Sequence, residues 1–269
     1  MDHVVQIGPL MLAMDRIVAV AAIWAFLAMG AWIGARTETR ASRATWIALL
    51  AGLVVARTGY VALNWQAFAV EPWSILALWQ GGFALWPGVA AAGATLAVLL
   101  GKTPPTAAMI ATLSVLTALA LVAQATVLAS PARPFPENIG IARMNGQTVS
   151  LDTLRGKPFV LNLWATWCPP CRREMPTVID VARGSSVAVL LVNQGEDIEK
   201  VRRFLAAENL PPDDVVLDSR STVGAAIGAR AFPTTVFVDA GGRIRSSHAG
   251  EISRAALTAA LGDLERNPR

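Results

Sequence analysis

Four apolar stretches, at about 16–35, 46–68, 75–100 and 106–129, constrain the fold of this 269-residue chain more than any other feature. Each approaches or exceeds the roughly 20 residues that a helix needs to cross a bilayer. Hydrocarbon offers backbone N–H and C=O groups no partner, so such stretches read as helices, which satisfy those groups internally. Charge divides the chain in the same way. Residues 1–130 hold ten Asp, Glu, Lys and Arg, and residues 131–269 hold thirty-two. The third stretch contains Gln80, Gly81, Gly82, Pro87 and Gly88, which predicts a bent or interfacial start and a span from about residue 84. The expected architecture is an α-helical transmembrane bundle of about four spans over residues 1–130. A short proline-rich linker at 131–140 and an α/β domain at 141–269 follow it.

Seven of nine tryptophans fall in the apolar half, several near span ends, where aromatic anchors sit. No short apolar region ends in a small-residue cleavage site before the second span, which argues against a cleaved signal peptide. The loop near 36–45 carries Arg36, Arg40 and Arg43 against Glu38, and the third loop carries Lys102. The loop near 69–74 has Glu71 and no base. Basic loops stay in the cytoplasm, which places the N-terminus and residues 131–269 on the far side. The net charge of +4 does not point to nucleic acid, because the seventeen bases and fifteen acids of the second half are scattered. The expected macroscopic partner is the lipid bilayer.

The second half holds both cysteines, Cys168 and Cys171, in Trp164-Ala-Thr-Trp-Cys-Pro-Pro-Cys171. Two thiols at this spacing close into a small ring and reopen without moving the rest of the protein. An apolar strand-like run, Pro158–Trp164, precedes them, and a helical pattern from Arg172 to Arg183 follows. Pro169 and Pro170 suit the first helical turn. Cys168 then sits at a helix N-terminus, where free N–H groups and the dipole favour a thiolate. A structural bridge closing so short a loop would stabilise little. A zinc site needs about four ligands, and His3 and His248 are the only histidines. The pattern therefore points to a redox dithiol that needs no separate cofactor.

Residues 141–264 resemble the thioredoxin-like domain of the TlpA/ResA/CcmG family of membrane-tethered thiol–disulfide oxidoreductases. Four motifs carry the resemblance in order: Asn145–Lys157 as the opening hairpin, Trp164–Pro176 as the dithiol helix, Val189–Glu196 as a core strand with its acidic turn, and Ala231–Asp239 as a proline loop and strand. The resemblance implies a central mixed sheet, Cys168 as nucleophile and Cys171 as resolving thiol. It also implies a cis-proline at Pro233 and a client-binding surface of Trp167, Pro169, Pro170, Phe232, Pro233 and Thr234. In this family a glutamate in the turn after the core strand handles protons, which assigns that role to Glu196. Asn162 stands where ordinary thioredoxins carry a buried acid, and an amide cannot titrate. The implied clients are proteins with cysteines, apocytochrome c among them, in the periplasm beside the inner membrane, where thiols become oxidised. A disulfide-forming oxidase and a copper-carrying chaperone are the alternatives. The first half has no cysteine, so a separate membrane electron donor is expected to recharge the dithiol.

The first half resembles the front part of a prolipoprotein diacylglyceryl transferase, through Ile7-Gly-Pro-Leu10, Ala56-Arg-Thr-Gly-Tyr60 and the run from Pro72 to Gly82. Trp86 stands where that family has its active histidine, and the family's later signature and helices are missing, so no transferase activity is expected. Arg57 lies inside the second span, where a charge costs about 2.5–3.5 kcal/mol on insertion scales. It is either a functional residue or an arginine paired within the bundle.

Overall fold

The computed structural model describes residues 4–7, 10–37, 40–128 and 132–268. Gly8 and Pro9 of the Ile7–Leu10 motif, Glu38 of the first basic loop, and Ser130 and Pro131 lie outside the described residues. The chain divides near residue 130 into two compact units.

The first unit opens with two short paired strands, β1 (Val4–Ile7) and β2 (Leu10–Ala13). The helices α1 (Met14–Thr37), α2 (Ala41–Leu63), the short α3 (Trp65–Val70), α4 (Leu85–Leu100) and α5 (Pro104–Ala123) follow. Among the described residues, three segments are long and apolar enough to cross a membrane: Arg16–Thr37, Ala41–Leu63 and Pro104–Thr126. The third expected span shortens to the 16 residues of α4, about 24 Å of helix at 1.5 Å per residue. The segment before it does not continue the helix, because Gly81 and Gly82 take φ of 74° and 80°, a region that glycine enters at no steric cost.

Small residues bring α4 against α2. A Cβ on Gly88 would lie 2.7 Å from the Ala56 Cβ, and one on Gly52 would lie 3.0 Å from the Gly88 carbonyl. Such positions let helix backbones approach closely where lipid supplies no hydrophobic drive. All seven tryptophans of this unit, including Trp86, are exposed on its surface, as expected of a lipid-facing wall.

Arg57 is buried on α2, and its guanidinium ties down the irregular segment. Its Nε donates to Ile75 O at 3.0 Å and its Nη2 to Ser74 O at 2.6 Å. Its Nη1 donates to Gly81 O at 2.6 Å and Gly82 O at 3.0 Å. Non-helical backbone at membrane depth needs such partners for its carbonyls. Of the two readings of Arg57, the geometry favours the paired one.

The second unit is an eight-stranded mixed sheet in the order β3-β10-β9-β6-β7-β8-β4-β5. Its strands are β3 (Arg133–Pro134), β4 (Gly140–Arg143), β5 (Thr148–Ser150), β6 (Phe159–Trp164), β7 (Ala188–Gln194), β8 (Val215–Asp218), β9 (Thr234–Val238) and β10 (Arg243–Ala249). Central β6 pairs parallel with β7 and antiparallel with β9, and every residue of it is buried. A strand covered on both faces reads as a continuous apolar run, which is what Phe159–Trp164 is. Val160 and Trp164 pack into one core with α6 (Pro169–Arg183), α7 (Ile198–Ala207) and α9 (Arg254–Arg266). Phe159, Leu161 and Leu163 pack into a second with α8 (Thr222–Ile227).

One expectation changes in detail. Residues 132–140 of the expected 131–140 linker do not stand apart from the domain. From Arg133 onward they join the sheet edge through β3, and Phe135 and Ile139 are buried in the second core. Phe135 lies edge-on to Phe159 at 5.5 Å, and burying such a ring outweighs keeping the segment extended. The helix after Cys171 continues through Pro176, and Val178 and Ile179 beyond it are buried.

Arg57→Met is expected to strand four carbonyls and to destabilise the membrane unit by roughly 2–4 kcal/mol. A lowered melting temperature of the purified protein in detergent, followed by size-exclusion chromatography, would show it. An unchanged melting temperature would mean those carbonyls have other partners.

Candidate active site: the Cys168–Cys171 disulfide

The two cysteines lie at the C-terminal end of β6, where a short loop turns into α6. Cys168 is the N-cap of that helix, Pro169 and Pro170 form its first turn, and the Cys171 N–H points at the Cys168 sulfur at 3.3 Å. Cys168 and Cys171 are joined as a disulfide, and both are buried, with relative exposures of 3% and 1%. Their sulfurs therefore sit in the field of a helix N-terminus with little water to screen it.

Glu196 governs the loop that leads into Cys168. Its carboxylate accepts from the Thr166 N–H at 2.8 Å, the Thr166 hydroxyl at 2.6 Å and the Asn193 amide at 2.7 Å. It also pairs with Lys200 at 2.8 Å. Burial alone pushes its pKa up, but the hydrogen bonds from Asn193, Lys200 and Thr166 outweigh burial and hold it below the usual glutamate value. A carboxylate so occupied is favoured in its ionised form. Glu196 thus holds Thr166, two residues before Cys168, by both its backbone and its side chain.

Glu174 has the opposite environment, and the sequence reading passed over it. It lies on α6 three residues after Cys171, hence one turn along on the same face, and it is buried at 3% exposure. The Asn162 amide donates to it at 2.8 Å and the Ile252 N–H at 2.8 Å. Asn162 also donates to Thr235 at 3.0 Å. Burial raises the Glu174 pKa, the two hydrogen bonds oppose the rise, the nearby Glu251 charge adds to it, and the result is about 7. A buried amide at 162 and an acid at Cys171+3 are the pair that could have signalled this residue.

The surface beside the dithiol is aromatic. Trp167 is 63% exposed, and its ring lies 6.0 Å from that of Phe232. The Phe232–Pro233 peptide bond is cis. Pro233 O accepts from the Gly250 N–H at 2.8 Å, and the Thr234 hydroxyl donates to Ala231 O at 2.7 Å. Phe232 packs against the core cluster that contains both cysteines, so the proline loop and the dithiol helix share one end of the sheet. Pro169 is exposed and Pro170 half-buried on the same helix start. Arg57 belongs to the other unit. Among the described residues no group of three or more His, Cys, Asp or Glu side chains converges as a metal site.

The redoxin family model matches residues 130–261, and the prolipoprotein diacylglyceryl transferase model matches residues 2–127. The chain is 34% identical over 116 residues to the thiol-disulfide oxidoreductase ResA of Halalkalibacterium halodurans, covering 42% of this chain and 65% of that one. It is 33% identical over 121 residues to the thiol:disulfide interchange protein DsbE of Pseudomonas fluorescens biotype C, covering 45% and 67%. To the thioredoxin-like protein YneN of Bacillus subtilis it is 32% identical over 122 residues, covering 44% and 71%. The chain thus spans between 65% and 71% of the length of these three relatives.

An acid whose folded pKa is about 7 holds its proton in the folded state where the unfolded chain has lost it. Stability is therefore highest at low pH and falls as pH rises from about 4.5 through 7, by up to about 3 kcal/mol. Hydrogen exchange of the β6 amides in the full chain is expected to show this slope. Glu174→Gln, which cannot ionise, is expected to flatten it.

Proposed function

Because the chain belongs to the redoxin family, with relatives named thiol-disulfide oxidoreductase, thiol:disulfide interchange protein and thioredoxin-like protein, we propose that it reduces disulfides in client proteins at Cys168 and Cys171. The observation that carries this reading is the placement of a closed, reducible cysteine pair on a helix N-terminus, one turn from a buried acid whose pKa lies near neutrality.

In the reduced protein the Cys168 thiolate attacks one sulfur of a client disulfide. The bond between the client sulfurs breaks, one leaves as a thiolate, and Cys168 becomes linked to the other. Glu174, ionised in a fraction of molecules near neutral pH, takes the Cys171 proton. The resulting thiolate displaces the client from Cys168 and closes the Cys168–Cys171 disulfide. Two electrons pass to the client, which leaves with both sulfurs reduced. Trp167, Phe232 and the proline loop form the surface on which the client lies, and Pro169, Pro170 and Thr234 border it. Glu196 fixes the approach of the loop without exchanging a proton.

The oxidised protein needs two electrons from elsewhere. Both cysteines are in the second half, so a separate membrane protein is the donor. The first half serves as anchor and docking module in the inner membrane, and Trp86 in the histidine position leaves it without transferase activity. The basic loops support an orientation with the N-terminus and the dithiol in the periplasm, where clients such as apocytochrome c would carry cysteines that must be kept reduced.

Reduction of a protein disulfide by the full-length protein is expected to disappear in Cys168→Ser. Cys171→Ser is expected to accumulate mixed disulfides with clients, visible as higher-mass species on non-reducing gels. Full activity in either variant would exclude the mechanism.

Orientation has its own test. Alkaline phosphatase fused after Ser130 is expected to be active, and fused within residues 36–45 inactive. The reverse pattern would put the dithiol in the cytoplasm.

A further inference from the structure

The loop Gly250–Ser253, between β10 and α9, touches the site at three consecutive residues. The Gly250 N–H donates to Pro233 O, and the Ile252 N–H donates to Glu174 Oε2, each at 2.8 Å. Between them, the Glu251 carboxylate accepts from Arg173 on α6, at 3.1 Å from Nε and 2.8 Å from Nη2. Both guanidinium atoms converge on one oxygen, a charge-assisted contact of the stronger kind. Only 9% of the Glu251 side chain is exposed, against 55% for Arg173. The pair is therefore a carboxylate turned inward with its countercharge on the outside.

We propose that Arg173 and Glu251 form a positioning latch for Glu174. The pair pins the loop so that the Ile252 N–H stays on the buried carboxylate, and its balance of charges sets the pH at which Glu174 can accept the Cys171 proton. This inference rests on the reading of Glu174 as proton acceptor.

Arg173 and Glu251 stand among several groups around Glu174. From β6 comes the Asn162 amide, braced by Thr235 on β9, and neither titrates. Its own helix supplies Cys171 and the adjoining Arg173. His248 on β10 lies with Nε2 3.3 Å from the Glu251 backbone oxygen. On α9, Arg254 is paired with Asp180 at 2.7 Å. Glu251 is the other acid whose charge raises the Glu174 pKa, and Arg173 offsets that charge directly. Removing the arginine takes away the positive charge paired with Glu251 and makes the ionisation of Glu174 harder. Removing Glu251 makes it easier.

The test uses the reduced full-length protein in detergent with dithiobis(nitrobenzoate) as the disulfide probe. Each molecule releases two nitrothiophenolate anions. The first leaves when Cys168 attacks, and the second when Cys171 displaces the mixed disulfide. The second phase is measured from acid to alkaline pH in stopped flow. Its rate is expected to rise with pH along a limb set by Glu174. Arg173→Met is expected to move the midpoint of that limb up by about 0.5–1 pH unit and Glu251→Gln to move it down by a similar amount, while Arg173→Lys restores it. The first phase is expected to keep its rate at a fixed pH in all three. Loss of the limb in Glu174→Gln, with midpoints unmoved in the Arg173 and Glu251 variants, would overturn the latch alone. A limb that persists in Glu174→Gln would overturn the reading of Glu174, and the latch with it. Arg173 is exposed, so its variants should fold, and near-ultraviolet circular dichroism checks this.

Discussion

The hydrogen bond from the Asn162 amide to the Glu174 carboxylate joins the central strand to the helix that carries the dithiol. Asn162 is pinned on its other side to Thr235 of the neighbouring strand, so one side chain links β6, β9 and α6. A buried polar network of this kind is stable only when every member is paired. Glu174 meets the condition through Asn162 and the Ile252 N–H. Those contacts also fix where the loop after β10 must run, and that loop in turn holds the carbonyl of Pro233. The dithiol, the proline loop and the buried acid are thus arranged around one amide–carboxylate contact.

Two glutamates in this domain are both buried, and their pKa values are pushed in opposite directions because their partners differ. Glu196 receives several donors and a lysine, so its charge is fully compensated and it acts as a fixed anion bracing the loop before Cys168. Glu174 receives two donors, has Glu251 nearby and sits deeper in the core, so its proton is held to about pH 7. Environments that push two acids apart in this way divide structural from proton-transfer duty. Burial alone would have ranked them together.

The membrane unit follows the same logic with a cation. A helix interrupted by Gly81 and Gly82 exposes carbonyls that hydrocarbon cannot satisfy, and the Arg57 guanidinium, with donors in a planar fork, meets four of them. The charge that looked costly in the sequence is the partner that makes the irregular segment tolerable. Small residues at 52, 56 and 88 then let α4 pack against α2 closely enough for that segment to return under Arg57.

Much of this was legible in the chain itself. Apolar length marked the helices that span, charge density marked the second domain, and the Cys-x-x-Cys pattern between a strand and a helix located the dithiol. Periodicity and spacing report local structure, and these features are local. The sequence by itself determined that the chain is a membrane bundle joined to a mixed-sheet domain with a redox dithiol. What it could not decide depended on neighbours far along the chain. Glu174 is matched with Ile252, 78 residues away, and Glu196 with Thr166, 30 residues away. Arg133–Ile139 looked like a spacer until β10 and Phe159 offered an edge and a surface to pack on. A carboxylate carries the same letter whether it clamps a loop or holds a proton. Only tertiary structure sets the number of donors around it and the depth at which it sits, and those two quantities decide its charge.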